Sequence, residues 1–318
     1  GIALIQFDPG VFGTEQTIGL SNPLPAINGD LEIAGPGTNL LRISASGFRA
    51  FTVIGGTVTF HSFSITGGGV EASGGSLTIG NSPVNISGNN TNVCGGGLLV
   101  NGASVTLQAG SQITGNTTSD NGGGVCVTAG SLTVTGGGTQ VNGNIATLDG
   151  GGIYLSGGTV TVENGASVSG NTAANGGGIH QAGGNLTVTG SRIEQNTSTA
   201  GNGSAIRFAD QGVRSVTNTC IVSNNDTAVT LAGGSGVVAT GNWWGSSFGP
   251  FSGANAPAPN DPNTLVSTGD AVQLSLDPGI FDYSGYITTP VVGCLACVTP
   301  SGIGGGRDSR MCNFVTPP

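Results

Sequence analysis

From about residue 50 to residue 245 the apolar positions fall in short alternating runs separated by Gly, Asn and Ser. The stretch after Gly150 shows the pattern: Ile153-Tyr154-Leu155, then Val160-Thr161-Val162, then Val168-Ser169-Gly170-Asn171. Apolar–polar–apolar alternation is strand periodicity, and the bounding residues are turn formers. Gly-Gly-Gly recurs at 67–69, 95–97, 122–124, 150–152 and 176–178, with degenerate copies at 203–205 and 226–228, in steps of 28, 27, 28, 26, 27 and 23 residues. A fixed period of this length marks a repeat architecture, in which each unit buries its apolar face only by stacking on a neighbour. Three strands and three turns per period of roughly 27 residues, stacked at about 4.8 Å, predict an all-β parallel solenoid with three strands per rung and about ten rungs.

One repeated position is polar. The third strand of successive repeats ends in Asn89, Asn116, Asn144, Asn171, Asn196 and Asn224, each two residues after a variable position that follows Ile or Val. Asn tolerates left-handed backbone and bonds nearby main chain, and stacked Asn side chains bond one another. These residues are expected to form a structural ladder at a turn rather than a ligand site.

An aliphatic residue, two others and Asn, followed downstream by Gly-Gly-Gly and an aliphatic residue, resembles the repeat of polymorphic outer-membrane proteins, with Ile or Val where that family prefers Phe. More broadly the pattern resembles secreted right-handed parallel β-helix proteins of the pectate-lyase-like class. The resemblance implies a right-handed β-helix. It implies little about function, since that fold carries lyases, adhesins and inert surface proteins alike.

Composition narrows the classes. The chain has 318 residues, 62 of them Gly, with 7% charged residues and a net charge of −9; seven Arg and no Lys supply the positive charge. Nucleic-acid binding needs clustered cations, so no nucleic-acid partner is expected. No run approaches 18 continuous apolar residues, so no membrane span is expected. Gly1 leads directly into strand-like sequence without a basic start and apolar core, which reads as an exported chain already processed. Cys94, Cys126, Cys220, Cys294, Cys297 and Cys312 suit disulfides in an oxidising, extracellular or cell-surface setting. Cys294-Leu-Ala-Cys297 lacks the second pair or nearby His that zinc would need, so no metal or other cofactor is expected.

Along the chain, residues 1–48 read as an N-terminal cap with the first irregular rungs, 49–249 as the regular β-helix, 250–290 as a C-terminal cap region and 291–318 as a Cys-containing tail. Trp243 and Trp244 close the last regular rung, one of them plugging the core. Ile5-Gln6-Phe7-Asp8-Pro9-Gly10-Val11-Phe12 is echoed by Leu274-Ser275-Leu276-Asp277-Pro278-Gly279-Ile280-Phe281. Each copy is a strand, an Asp-Pro-Gly turn and an aliphatic–Phe pair. The echo means either two caps sharing a turn or two ends built to stack, with Asp8, Pro9, Gly10, Phe12, Asp277, Pro278, Gly279 and Phe281 in an end-to-end contact.

The outward middle residue of the first strand runs Glu71, Leu99, Cys126, Tyr154, His180, Arg207, Thr230. Tyr154, His180 and Arg207, with Asp210 nearby, make the one cluster with acid–base potential. Glycoside hydrolysis needs two carboxylates about 5–10 Å apart. Glu71, Glu163 and Glu194 lie on different strands or distant rungs, and Asp120 and Asp149 occupy the glycine turns. No catalytic residues are assigned. Cys126 shares the outward column and is expected to be bonded or covered by the tail or a partner chain, with Cys94 as the sequence-local alternative. On the second strand, Thr57/Thr59, Ser76/Thr78, Ser104/Thr106, Ser131/Thr133, Thr159/Thr161 and Asn185/Thr187 form two outward ranks of small polar groups, similar to the surface of ice-binding solenoids. The leading expectation is a structural extracellular or cell-surface protein, a candidate subunit of a head-to-tail homopolymer. A glycan-binding surface adhesin comes next, a polysaccharide lyase or hydrolase third, and an ice-binding protein last.

Overall fold

A computed structural model describes residues 1–209, 212–225, 227–232 and 237–243. It also describes the backbone of strands Phe251–Ser252, Ala271–Leu274, Phe281–Asp282, Leu295–Val298 and Met311–Phe314. Asp210, Trp244, Asp277, Pro278, Gly279 and Cys294 lie outside the described residues. The chain is an all-β parallel solenoid of about 8 turns and about 27 residues per turn, with three sheets and no helix among the described residues.

The sheets divide the repeat differently from the three apolar pieces seen in the sequence. The first two pieces belong to one large sheet and run as one bent strand in two rungs, Leu98–Leu107 and Val125–Thr135. The third piece forms the second sheet, for example Ser167–Ser169 between Gln140–Asn142 and Arg192–Glu194. The third sheet comes from short segments after each ladder Asn, such as Thr117–Thr118 and Thr172–Asn175. These segments carry little apolar alternation because their outer side faces solvent and the Asn turn fixes their path.

Inward residues form continuous columns. Leu77, Val105, Leu132, Val160 and Leu186 stack in register on one strand position, and all are buried. Phe51, Phe60 and Phe63 fill the wider space near the N-terminal end, with Phe51 and Phe60 ring centroids 4.8 Å apart.

The Gly triplets exist because backbone stacks on backbone there. Gly96, Gly123 and Gly124 donate their N–H groups to carbonyls of Gly122, Gly150 and Gly151 on the next rung, at 2.9–3.1 Å. A Cβ on Gly123 would lie 2.5 Å from both the Gly151 oxygen and the Ile145 carbonyl carbon. No side chain fits between rungs at this spacing.

The six ladder residues form one bonded file. Nδ2 of Asn89, Asn116, Asn144, Asn171 and Asn196 each donates to Oδ1 of the next, at 2.7–3.1 Å, and the same oxygen accepts the backbone N–H of the donor. The remaining Nδ2 hydrogen of Asn116, Asn144, Asn171, Asn196 and Asn224 goes to the carbonyls of Ile86, Ile113, Val141, Val168 and Ile193. At the N-terminal end, Oδ1 of Asn89 accepts from Gly68 and Gly69, so the ladder is closed onto a glycine turn. Buried backbone at this corner is thereby satisfied without a sheet.

Candidate functional site

The outward column forms on consecutive rungs: Glu71, Leu99, Cys126, Tyr154, His180, Arg207 and Thr230 are successive register partners. It is not a simple solvent-facing row. The glycine turn folds back so that the residue before each triplet faces the column residue of the following rung. Cys94 precedes Gly95 and bonds Cys126, with Cα atoms 5.6 Å apart. Asp149 precedes Gly150 and reaches His180, with Oδ2 3.7 Å from Nδ1. The two pairs occupy equivalent places two rungs apart. The expectation that the tail or a partner chain holds Cys126 is therefore corrected: Cys94 does. Counting along a flat rung separated the two residues, because it ignored the fold-back of the turn. Cys220 is also disulfide-bonded, and Cys297 lies opposite Cys312 in an antiparallel strand pair.

The pre-glycine residues form a second, partly buried ladder. Asn202 Nδ2 donates to Asn175 Oδ1 at 2.8 Å, Asn175 Nδ2 to Asp149 Oδ1 at 2.7 Å, and the Asp149 N–H to Asn121 Oδ1 at 3.0 Å. The Asp149 carboxylate thus belongs to a file of amides as well as to the histidine. The sequence reading placed Asp149 in a turn and did not connect it to His180; the shared pre-glycine position of Asn121, Asp149, Asn175 and Asn202 was the signal.

The Tyr154 and His180 rings lie 5.6 Å apart. Burial, then the nearby Asp149 and Asp120, push the Tyr154 phenol above its ordinary range. Burial pulls the His180 imidazole below its ordinary value; Asp149 and a backbone hydrogen bond at Asn175 oppose this, and Arg207 reinforces it. His180 is 3% exposed, so its ring is closed to a polymeric substrate. Glu194 lies on the second sheet, where burial raises its carboxyl despite Arg192 4.0 Å away. It does not join the cluster.

At the N-terminal half of the same outward face lies a groove of about 850 Å³. It is lined by the loop Gly47-Phe48-Arg49, by Glu71 and Leu99 of the column, and by third-sheet residues from Asn90 to Thr147. Arg49 donates to the carbonyls of Gly95, Cys94 and Gly68 at 2.6, 2.8 and 3.4 Å. On the neighbouring flat face the hydroxyl ranks stand in register, Thr59, Thr78, Thr106, Thr133, Thr161 and Thr187 in one and Thr57, Ser76, Ser104, Ser131, Thr159 and Asn185 in the other.

The ends carry the remaining expected residues. Asp8, Pro9 and Gly10 form a self-satisfied turn in which Gly10 N–H donates to Asp8 Oδ1 at 2.8 Å, and Phe12 packs edge-on against Phe7. The strands that flank the two Asp-Pro-Gly segments pair in different sheets. The N-terminal copy joins a strand of the large sheet, Ala3–Gln6, to a strand of the second sheet, Gln16–Gly19. The C-terminal copy falls between Ala271–Leu274 and Phe281–Asp282, which continue the two successive segments of the large sheet.

Among the described residues Ala3–Gln6 and Gln16–Gly19 each pair on one side only, and their inward Ile5 and Ile18 are partly exposed. Along one core column Ile5, Ile33, Phe60 and Ile79 are 45%, 4%, 0% and 0% exposed; along another, Ile18, Ile43, Ile65 and Ile86 are 36%, 5%, 0% and 0% exposed. Among the described residues no group of His, Cys, Asp and Glu could hold a metal ion, and no helix is long and apolar enough to cross a membrane. No protein-family model, curated protein or solved structure matches the chain.

Proposed function

We propose that this chain is a structural, non-enzymatic β-solenoid of the extracellular space or a cell surface, which assembles by stacking a second copy on the exposed rung of Ala3–Gln6 and Gln16–Gly19. The observation that carries the reading is the exposure of core-column residues Ile5 and Ile18 on strands that pair on one side among the described residues. Strand edges paired on one side are satisfied by strand addition, and covering the exposed part of one such isoleucine contributes about 1 kcal/mol. Contact between unlike ends is heterologous and does not close, so repetition yields a filament.

The Cys94–Cys126 bond suits an oxidising compartment. The Gly-triplet and Asn pattern, similar to polymorphic outer-membrane repeats and pectate-lyase-like helices, fits a surface setting. The non-enzymatic reading rests on the closed His180 ring and on carboxylates committed to amide ladders or separated between sheets. The test is sedimentation and electron microscopy of the purified chain over a wide concentration range, beside Ile5→Asp. Wild type should elongate with concentration and the variant should remain a folded monomer. A wild-type chain that stays monomeric throughout overturns the assembly reading.

A further inference from the structure

The groove beside the Cys94–Cys126 bond has a chemistry that assembly through the N-terminal rung does not use. Its volume of about 850 Å³ is in the range of small-molecule sites. It follows the helix axis over roughly three rungs, about 14 Å at the usual strand spacing. Glu71 and Leu99, register partners on successive rungs, form its floor. Asn90, Thr91, Thr117, Thr118, Ser119 and Thr147 line it together with Phe48 and Arg49.

The wall is held rigidly while several polar groups stay free. Thr91 and Thr118 hydroxyls both donate to the Val93 carbonyl, at 3.0 and 2.8 Å. The disulfide and two Arg49 hydrogen bonds fix the next residues, Cys94 and Gly95. The overhang Asn92-Val93 is therefore pinned from both sides. The side chains of Asn90, Asn92, Thr117 and Ser119 have no hydrogen-bond partner among the described residues, and Phe48, Val93 and Leu99 supply apolar surface between them. Hydrogen-bonding groups interleaved with apolar patches complement a ligand that alternates hydroxyls with C–H faces.

Charge selects within that class. Arg49 spends its guanidinium on three carbonyls and faces Glu71, and the chain carries a net charge of −9. An acidic sugar would meet a carboxylate with no free cation to balance it, whereas Glu71 accepts hydroxyl donors. We infer that this groove is a binding site for a neutral oligosaccharide, with Glu71 and the Asn92, Thr117 and Ser119 side chains bonding hydroxyls and Phe48 lying against a sugar ring.

The test is titration of the intact, oxidised chain with neutral glucose, mannose and xylose hexamers, a galacturonate hexamer and an extended neutral peptide, followed by calorimetry and amide chemical shifts. At least one neutral hexamer should bind with shifts at residues 90–93 and 117–119. Asn92→Ala and Thr117→Val, both at surface positions, should each weaken that binding about tenfold without moving the melting temperature. Reduction of the disulfide should weaken it too. The inference is overturned if no neutral hexamer binds at millimolar concentration, if the galacturonate hexamer or the peptide binds as well as the best neutral sugar, or if both variants bind like wild type. Binding by Ile5→Asp at wild-type strength would keep this site separate from the assembling end.

Discussion

Each ladder asparagine from Asn116 to Asn224 does four jobs with one amide, and that sets what its loss should cost. The Asn171 side chain accepts the Asn144 N–H and Nδ2 and donates to the Val141 carbonyl and to Asn196 Oδ1, all in a fully buried file. Leu has similar volume but returns none of these bonds, and each buried group left unsatisfied costs about 1–3 kcal/mol. Asn171→Leu is expected to lower stability by at least about 3 kcal/mol in chemical denaturation; a loss below about 1 kcal/mol would mean the file is not what holds this corner. His180 sets a second expectation, in pH. Burial favours its neutral form in the folded state, while in the unfolded chain histidine titrates near 6.5. The unfolded state therefore takes up the proton first as pH falls, so the stability from neutral burial is intact above about 6.5 and declines below it until the folded imidazole also titrates. Glu194 has the opposite slope, because its raised folded value favours the neutral acid and costs stability as pH rises from 4.5 through that value. Comparing wild type with His180→Gln isolates the histidine: the wild type should lose more stability than the variant between pH 8 and pH 5, and parallel profiles would contradict the assignment.

At the scale of the repeat, the sequence reveals periods better than corners. The 27-residue step, the inward columns and the outward order from Glu71 to Thr230 are all legible, because strand alternation and stacking leave little freedom once the period is known. The third sheet is not legible, since a two-residue strand such as Thr117–Thr118 has no alternation to read. The Cys94–Cys126 bond is legible only as the alternative to a tail or partner contact, for a related reason: the path of the glycine turn, not linear spacing, brings the pre-glycine residue against the next rung's column. The equivalence of Cys94/Cys126 with Asp149/His180 makes that geometry testable. A disulfide needs Cα atoms about 4.4–6.8 Å apart, and the native bond meets this at 5.6 Å. Asp149→Cys/His180→Cys is expected to form a second cross-link spontaneously under air, seen as two fewer free thiols and one joined proteolytic fragment. Failure to oxidise in folded protein would show that the turn does not repeat its path. Removing the native bond with Cys94→Ala/Cys126→Ala should cost about 2–4 kcal/mol.

In a solenoid each rung is stabilised by the rungs on either side, so the whole molecule is weakest where a neighbour is missing. At the N-terminal end that is visible as a gradient within single columns, from Ile5 at 45% exposure to Phe60 at none and from Ile18 at 36% to Ile65 at none. Strands Ala3–Gln6 and Gln16–Gly19 are bonded along one edge among the described residues. Opening these two strands exposes little that is not already exposed, so their amides should exchange with solvent far faster than those of Thr159–Glu163 in the interior. Addition of a second copy would change just this property. Hydrogen exchange of the wild-type chain at rising concentration should slow selectively at residues 3–6 and 16–19, while interior rungs keep the same rates. Because the surface covered is mainly apolar, the effect should persist in high salt, where screened charge pairs weaken, and should diminish on cooling, as burial of apolar surface does. Protection that rises uniformly along the chain, or that disappears on adding salt, would place the contact elsewhere than on the exposed rung.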